Sequence, residues 1–202
     1  MTYKDLSINQ FLNITEYMKL DNEAEKRLLI LSELQGIPRE KLERMLLVDM
    51  LQMYASSIEF LSTPITTQWK HKIKINNKTY SPAFSFAEWS AGQFISFENL
   101  AKEGLSSMPI VMAIMLREKK GEYLNEAEIM ERAEEFGKHM SIEDAYPLYL
   151  FFSIVIVKLE SDTQAYLEEE AKRTSSVPSG GGTSFLTTSL NKTRQRLKRF
   201  LA

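Results

Sequence analysis

The chain has no cysteine, two histidines, six prolines and eight glycines among its 202 residues. The missing cysteines exclude a disulfide framework and any thiolate metal site, and they fit an intracellular protein. His71 and His139 fall in different segments, neither with Asp, Glu or Cys arranged around it at ligand spacing, so no metal is expected. The longest apolar run, Leu148 to Val157, is well short of the roughly 20 residues that cross a bilayer. Met-Thr-Tyr-Lys-Asp lacks the charged-then-apolar pattern of a signal peptide, so the protein is expected to be made and used in a cytosol. The Asn-x-Thr triplets at Asn13, Asn77 and Asn191 then read as chance matches.

Catalytic signatures are missing as well. Gly180-Gly181-Gly182 has no following Lys-Ser or Lys-Thr and follows no strand, so it is not a phosphate-binding loop. There is no serine nucleophile elbow. Paired acids for proton transfer need burial, whereas Glu134-Glu135 and Glu168-Glu169-Glu170 read as solvated faces. The expectation is a protein that is not an enzyme and takes no cofactor.

What is present points to a mainly α protein with one β-hairpin. Hydrophobic residues make up 44% and charged residues 26%, ordinary values for a globular domain. Ser7 with Gln10 is a capping box, opening a first helix with Ile8, Phe11, Leu12 and Thr15 on one face and an end near Leu20. Asp21, Glu23 and Glu25 start a second, with Leu28, Leu31 and Leu34 inside and Gly36 as a left-handed stop. Pro38 opens a short third helix with Leu42, Met45 and Leu46 turned inward. A fourth runs from about Val48 through Leu51, Ala55, Ile58 and Leu61, and Pro64 lies beyond its end.

The period then changes to two. Trp69, His71, Ile73 and Ile75 alternate with Lys70, Lys72 and Lys74, and Asn76-Asn77 suits a two-residue turn, placing a hairpin near 69–80. One hairpin seldom stands alone, so it must pack on the helices or join a sheet supplied by another chain. Ser85 with Glu88 and Ser90 with Gln93 offer two more capping boxes. Between and after them, Phe84, Phe86, Trp89, Phe94 and Phe97 read as an aromatic core beneath the hairpin, leading into a helix that ends at Gly104. Pro109 opens a helix buried on all sides, Ile110 to Leu116. Asn125 with Glu128 caps a helix through Ile129, Met130, Ala133 and Phe136 that is expected to end at Gly137. Ser141 with Asp144 then opens a long helix to Arg173, whose first half, Leu148 to Val157, is expected to be buried on all sides and to form the spine of the core. Pro147 lies inside it, and its second half is polar and expected to project from the body.

The domain plan is a helical body over residues 1–173, a Gly/Ser-rich linker over 174–184 and a basic amphipathic segment over 185–202. Leu186, Leu190, Leu197 and Leu201 recur near a helical repeat, among Lys192, Arg194, Arg196, Lys198 and Arg199. Those five cations meet no acid in the segment, so the total of −2 divides into +5 there and −7 over residues 1–184. Such a segment can be a solvated end, a nucleic-acid arm with a steep salt dependence, a membrane-surface helix or a docking helix. Docking on a protein is the reading adopted, leucines in a groove and cations on an acidic surface such as a neighbouring copy's. Contact with nucleic acid through the tail is the alternative partner.

Taken together, "LLILSELQGIPREKLERMLLVDM", "KIKINNKTYSPAF", "SFAEWSAGQFISFENL", "EDAYPLYLFF" and the Gly-rich break before a short basic end resemble small proteins of tailed bacteriophages, such as the crAss-like phages of Bacteroidota hosts. The resemblance implies a non-enzymatic structural protein of the virion, a ring, neck or tail component, oligomeric and bound to other virion proteins and to itself. It would be found in the host cytoplasm during assembly and then in the virion, with no membrane partner. A tail-assembly chaperone binding an extended client, and a nucleic-acid-binding packaging or cargo protein, are the alternatives.

Overall fold

The computed structural model describes residues 1–84, 89–101, 104–119, 122 and 124–175. Among them lie eight helices, α1 (Ile8–Tyr17), α2 (Glu23–Gln35), α3 (Arg39–Leu42), α4 (Leu47–Ile58), α5 (Ala91–Ala101), α6 (Met108–Met115), α7 (Glu126–His139) and α8 (Ile142–Ser175). Three short strands complete the fold: β1 (Ile73–Ile75), β2 (Lys78–Pro82) and β3 (Leu116–Arg117). The protein is therefore mainly helical with a small antiparallel sheet. Residues 1–154 form one compact unit, and residues 155–202 group separately.

Local chemistry sets most helix starts. The Gln10 amide donates to Ser7 Oγ (3.2 Å) while Gln10 Oε1 accepts from the Ser7 amide (3.1 Å), so two amides without helical partners are satisfied at once. The same reciprocal pair occurs at Asn125 and Glu128 and at Ser90 and Gln93. The cap of α2 is Asn22, one residue past Asp21, and its side chain accepts from the amides of Ala24 and Glu25. Gly36 ends α2 at φ 63°, as a residue without Cβ allows.

Ser7 also does a second job. It faces Ser141 in an isolated antiparallel bridge. There the Ile8 amide donates to the Met140 carbonyl (3.1 Å) and the Ile142 amide to the Leu6 carbonyl (2.8 Å). The entry to α1 is thus stitched to the corner between α7 and α8, over the buried side chains of Leu6, Ile8, Met140 and Ile142. Gly137 does not end α7, which continues to His139; a Cβ there would collide with the Asn9 side chain of α1.

The hairpin turns at Asn76 and Asn77, both with positive φ (46° and 27°). Its paired part is shorter than the alternation suggests, because pairing begins only at Ile73↔Tyr80; Trp69 is half-buried and His71 exposed before it. The missing sheet partner comes from within the chain. The apolar run expected to stay helical to Leu116 stops at Met115, and Leu116 and Arg117 pair with Pro82 and Ser81 as β3. Ile73, Ile75 and Tyr80 face inward, with Tyr80 set edge-on to Phe136 of α7 at 4.9 Å. Phe84, Trp89 and Phe97 join Phe151 and Phe152 of α8 in an aromatic core. The Ser85/Glu88 box and Phe86 lie outside the described residues.

The apolar start of α8 is buried at Leu148, Tyr149 and Phe152, but Ile154 is 66% exposed, so this stretch is not enclosed on all sides. A second cluster joins α2, α3 and α4, with Leu31, Leu42 and Met50 buried and Met45, Met53 and Tyr54 partly covered. One expectation fails here. Leu46 is 74% exposed rather than turned inward; the next helix, α4, buries Met50 and Ser57 and leaves Val48, Leu51 and Ala55 exposed.

Candidate functional site

Helix α4 is apolar on two sides, and the fold covers one. What fixes its rotation is polar: Gln35 Nε2 donates to Ser57 Oγ (2.8 Å), and Ser57 Oγ donates to the Met53 carbonyl (2.7 Å). The Arg27 guanidinium adds a contact 6.0 Å above the Tyr54 ring. These ties hold Met50, Met53 and Tyr54 against α2 and α3. The adjoining side then carries Leu47 (66% exposed), Val48 (74%) and Leu51 (36%), with Leu46 just ahead of them and Ala55 one turn on. Asp49 is the sole charged residue within α4. Burying one such leucine or valine contributes about 1.5–3 kcal/mol. A contiguous exposed strip of this kind is a candidate contact surface, which scattered single apolar residues are not.

The chemically richest cluster lies elsewhere and is turned on itself. Arg132 of α7 makes a bidentate pair with Glu122 (2.7 and 3.1 Å), donates to the Leu116 carbonyl (3.1 Å) and sits 5.4 Å from the Tyr80 ring centre. The Glu118 amide donates to Glu122 Oε2 (2.9 Å). Burial pushes the Glu122 carboxyl up, but the Arg132 hydrogen bond, the Glu118 amide and the Arg132 charge outweigh it and hold it below the usual range. The depression alongside, lined by Gln93, Arg117 and Leu124 among others, encloses almost no free space. This arrangement clasps the segment after β3 to α7.

His71 is exposed with its ring 4.7 Å from that of Trp69, and His139 is exposed at the end of α7. Among the described residues no three His, Asp or Glu side chains gather as a metal site, and no described helix is long and apolar enough to cross a membrane. The hairpin carries exposed lysines; Lys70 pairs with Asp144 at 2.6 Å and Lys78 approaches Glu118 at 4.0 Å. All nine docking residues expected in the tail, from Leu186 to Leu201, lie outside the described residues, as does the linker from 176 onward.

The sequence traces this helix through Val48, Leu51 and Ala55 without assigning the strip a role. Its signal was nonetheless present: "LLVDMLQMYASSI" offers two apolar stripes, Leu47-Leu51-Ala55 and Met50-Met53-Tyr54, where a surface helix needs one. Searches against protein-family models, curated proteins and solved structures each return no match to this chain.

Proposed function

We propose that this chain is a non-enzymatic assembly protein that acts through protein–protein contacts, joining copies of itself and other components of a tailed-phage virion. The observation that carries the reading is the uncovered face of α4, where three helix residues and Leu46 expose apolar side chains side by side. A division of charge supports it: +5 from Phe185 onward against −7 over residues 1–184 makes the chain self-complementary. The phage setting, as a ring, neck or tail component, comes from the sequence resemblance alone.

The reading is tested by sedimentation of the full chain over a range of concentrations at low salt. A population heavier than the 23.3 kDa monomer, growing with concentration, is the expected result. A monomer at every concentration overturns self-assembly.

A further inference from the structure

We infer that the outer face of α4 is the seat for residues 185–202 of a neighbouring copy. This rests on the assembly reading above and names the two surfaces that meet. At ~100° per residue, Leu186, Leu190, Leu197 and Leu201 fall within about 60° of one another on a helix, a single narrow stripe. Leu47, Leu51 and Ala55 of α4 recur every fourth residue and form a stripe of the same kind. At 1.5 Å per residue the leucine stripe is about 22 Å long and α4 about 18 Å, so the two match in length. Such stripes interlock as paired helices do in a coiled coil.

Charge selects this occupant over a second α4. Joining two copies face to face through α4 brings together two chains that each carry −7 over residues 1–184, a repulsive arrangement. The tail brings +5 to the same place. Helix α4 itself carries no positive side chain, its one acid, Asp49, stands off the stripe, and Arg44 and Glu59 flank the helix before and after. Tail contact should therefore weaken as salt rises, whereas a purely apolar α4 pair should not.

Since the chain has no cysteine, single cysteines report contacts without background. Full-length Val48→Cys and full-length Leu190→Cys are mixed and oxidised at low salt. The expected product is the mixed disulfide dimer, dominant over both homodimers and reduced at high salt. A dominant Val48→Cys homodimer overturns the inference in favour of α4 pairing with α4.

A second pair keeps the outcome independent of disulfide geometry. Leu47→Asp/Leu51→Asp changes the seat, at positions already exposed, and Leu190→Asp/Leu197→Asp changes the tail. Each alone should lose association, and the two mixed should recover a one-to-one complex, because one supplies an intact tail and the other an intact seat. If the tail variant loses association while the α4 variant sediments like the unaltered chain, the seat is wrong and the assembly reading stands. If both sediment like an associating unaltered chain, the inference fails and assembly uses other surfaces. If the unaltered chain is itself monomeric, the inference and the assembly reading fall together.

Discussion

Gly137 stands inside α7, where glycine costs about 1 kcal/mol relative to alanine, and α1 supplies the reason. A Cβ at that position meets the Asn9 side chain on all of its nearest contacts. Those contacts are with the end of a flexible side chain that can swing aside, so Gly137→Ala should gain clearly less than the ~1 kcal/mol that helix propensity alone offers. In an Asn9→Ala background the same change should be neutral or stabilising by up to about 1 kcal/mol, as helix propensity takes over. Urea denaturation of the four combinations checks this, and an equal effect of Gly137→Ala in the two backgrounds would contradict it. From sequence the glycine reads as a helix stop, because a stop and a close approach both call for a missing side chain. Only the neighbour α1 tells them apart.

Glu122 and Arg132 give the second prediction at this scale. The folded-state pKa of Glu122 lies below the ordinary value, so its pairing stabilises the protein at neutral pH and is lost as pH falls through that lowered value. Arg132→Met leaves a largely buried carboxylate without its partner and should cost about 2–3 kcal/mol at pH 7. The deficit should shrink toward acid pH, where Glu122 takes up a proton. Denaturation midpoints across pH 3–7 test the sign; a deficit that grows on acidification contradicts the clasp.

At the scale of elements, what is local was legible and what depends on a neighbour was not. The boxes at Ser7, Ser90 and Asn125 and the cap at Ser141 appear as read, since each is set by residues within three positions of one another. The turn at Asn76-Asn77 is equally local. Both residues have positive φ, and Asn76 Nδ2 is held by Glu135 Oε1 at 3.0 Å. Asn77→Gly, with Asn76 kept, should raise stability by about 0.5 kcal/mol, because glycine relieves the left-handed strain at the second turn position. Thermal unfolding measures it, and a loss would show that the Asn77 side chain matters more than its backbone.

Strand β3 could not be read from its own two residues, because Leu116 closes an apolar helical run; it exists because β2 offers Ser81 and Pro82 for pairing. Helix α4 is the opposite case. Its periodicity allowed two orientations, and the choice falls to Ser57 and Gln35, residues 22 apart in sequence and joined by one hydrogen bond. That choice turns Leu47, Val48 and Leu51 outward and creates the candidate site. The site was thus half legible: an unusual excess of apolar residues in α4 was visible, but not the side on which it would remain.

For the whole molecule, composition and periodicity gave the class, a mainly helical fold with a hairpin, and the division of charge gave the tail its role in the account. The tail brings leucines and cations, and α4 brings an uncovered apolar strip. They meet in a single claim, that copies of this chain join through the C-terminal segment. The direct measurement is low-salt sedimentation of the full chain beside a chain ending at Arg173, with circular dichroism to compare their folds. Both should be folded and soluble, the full chain should associate, and the shortened chain should stay monomeric. A shortened chain that associates as the full one does would contradict it.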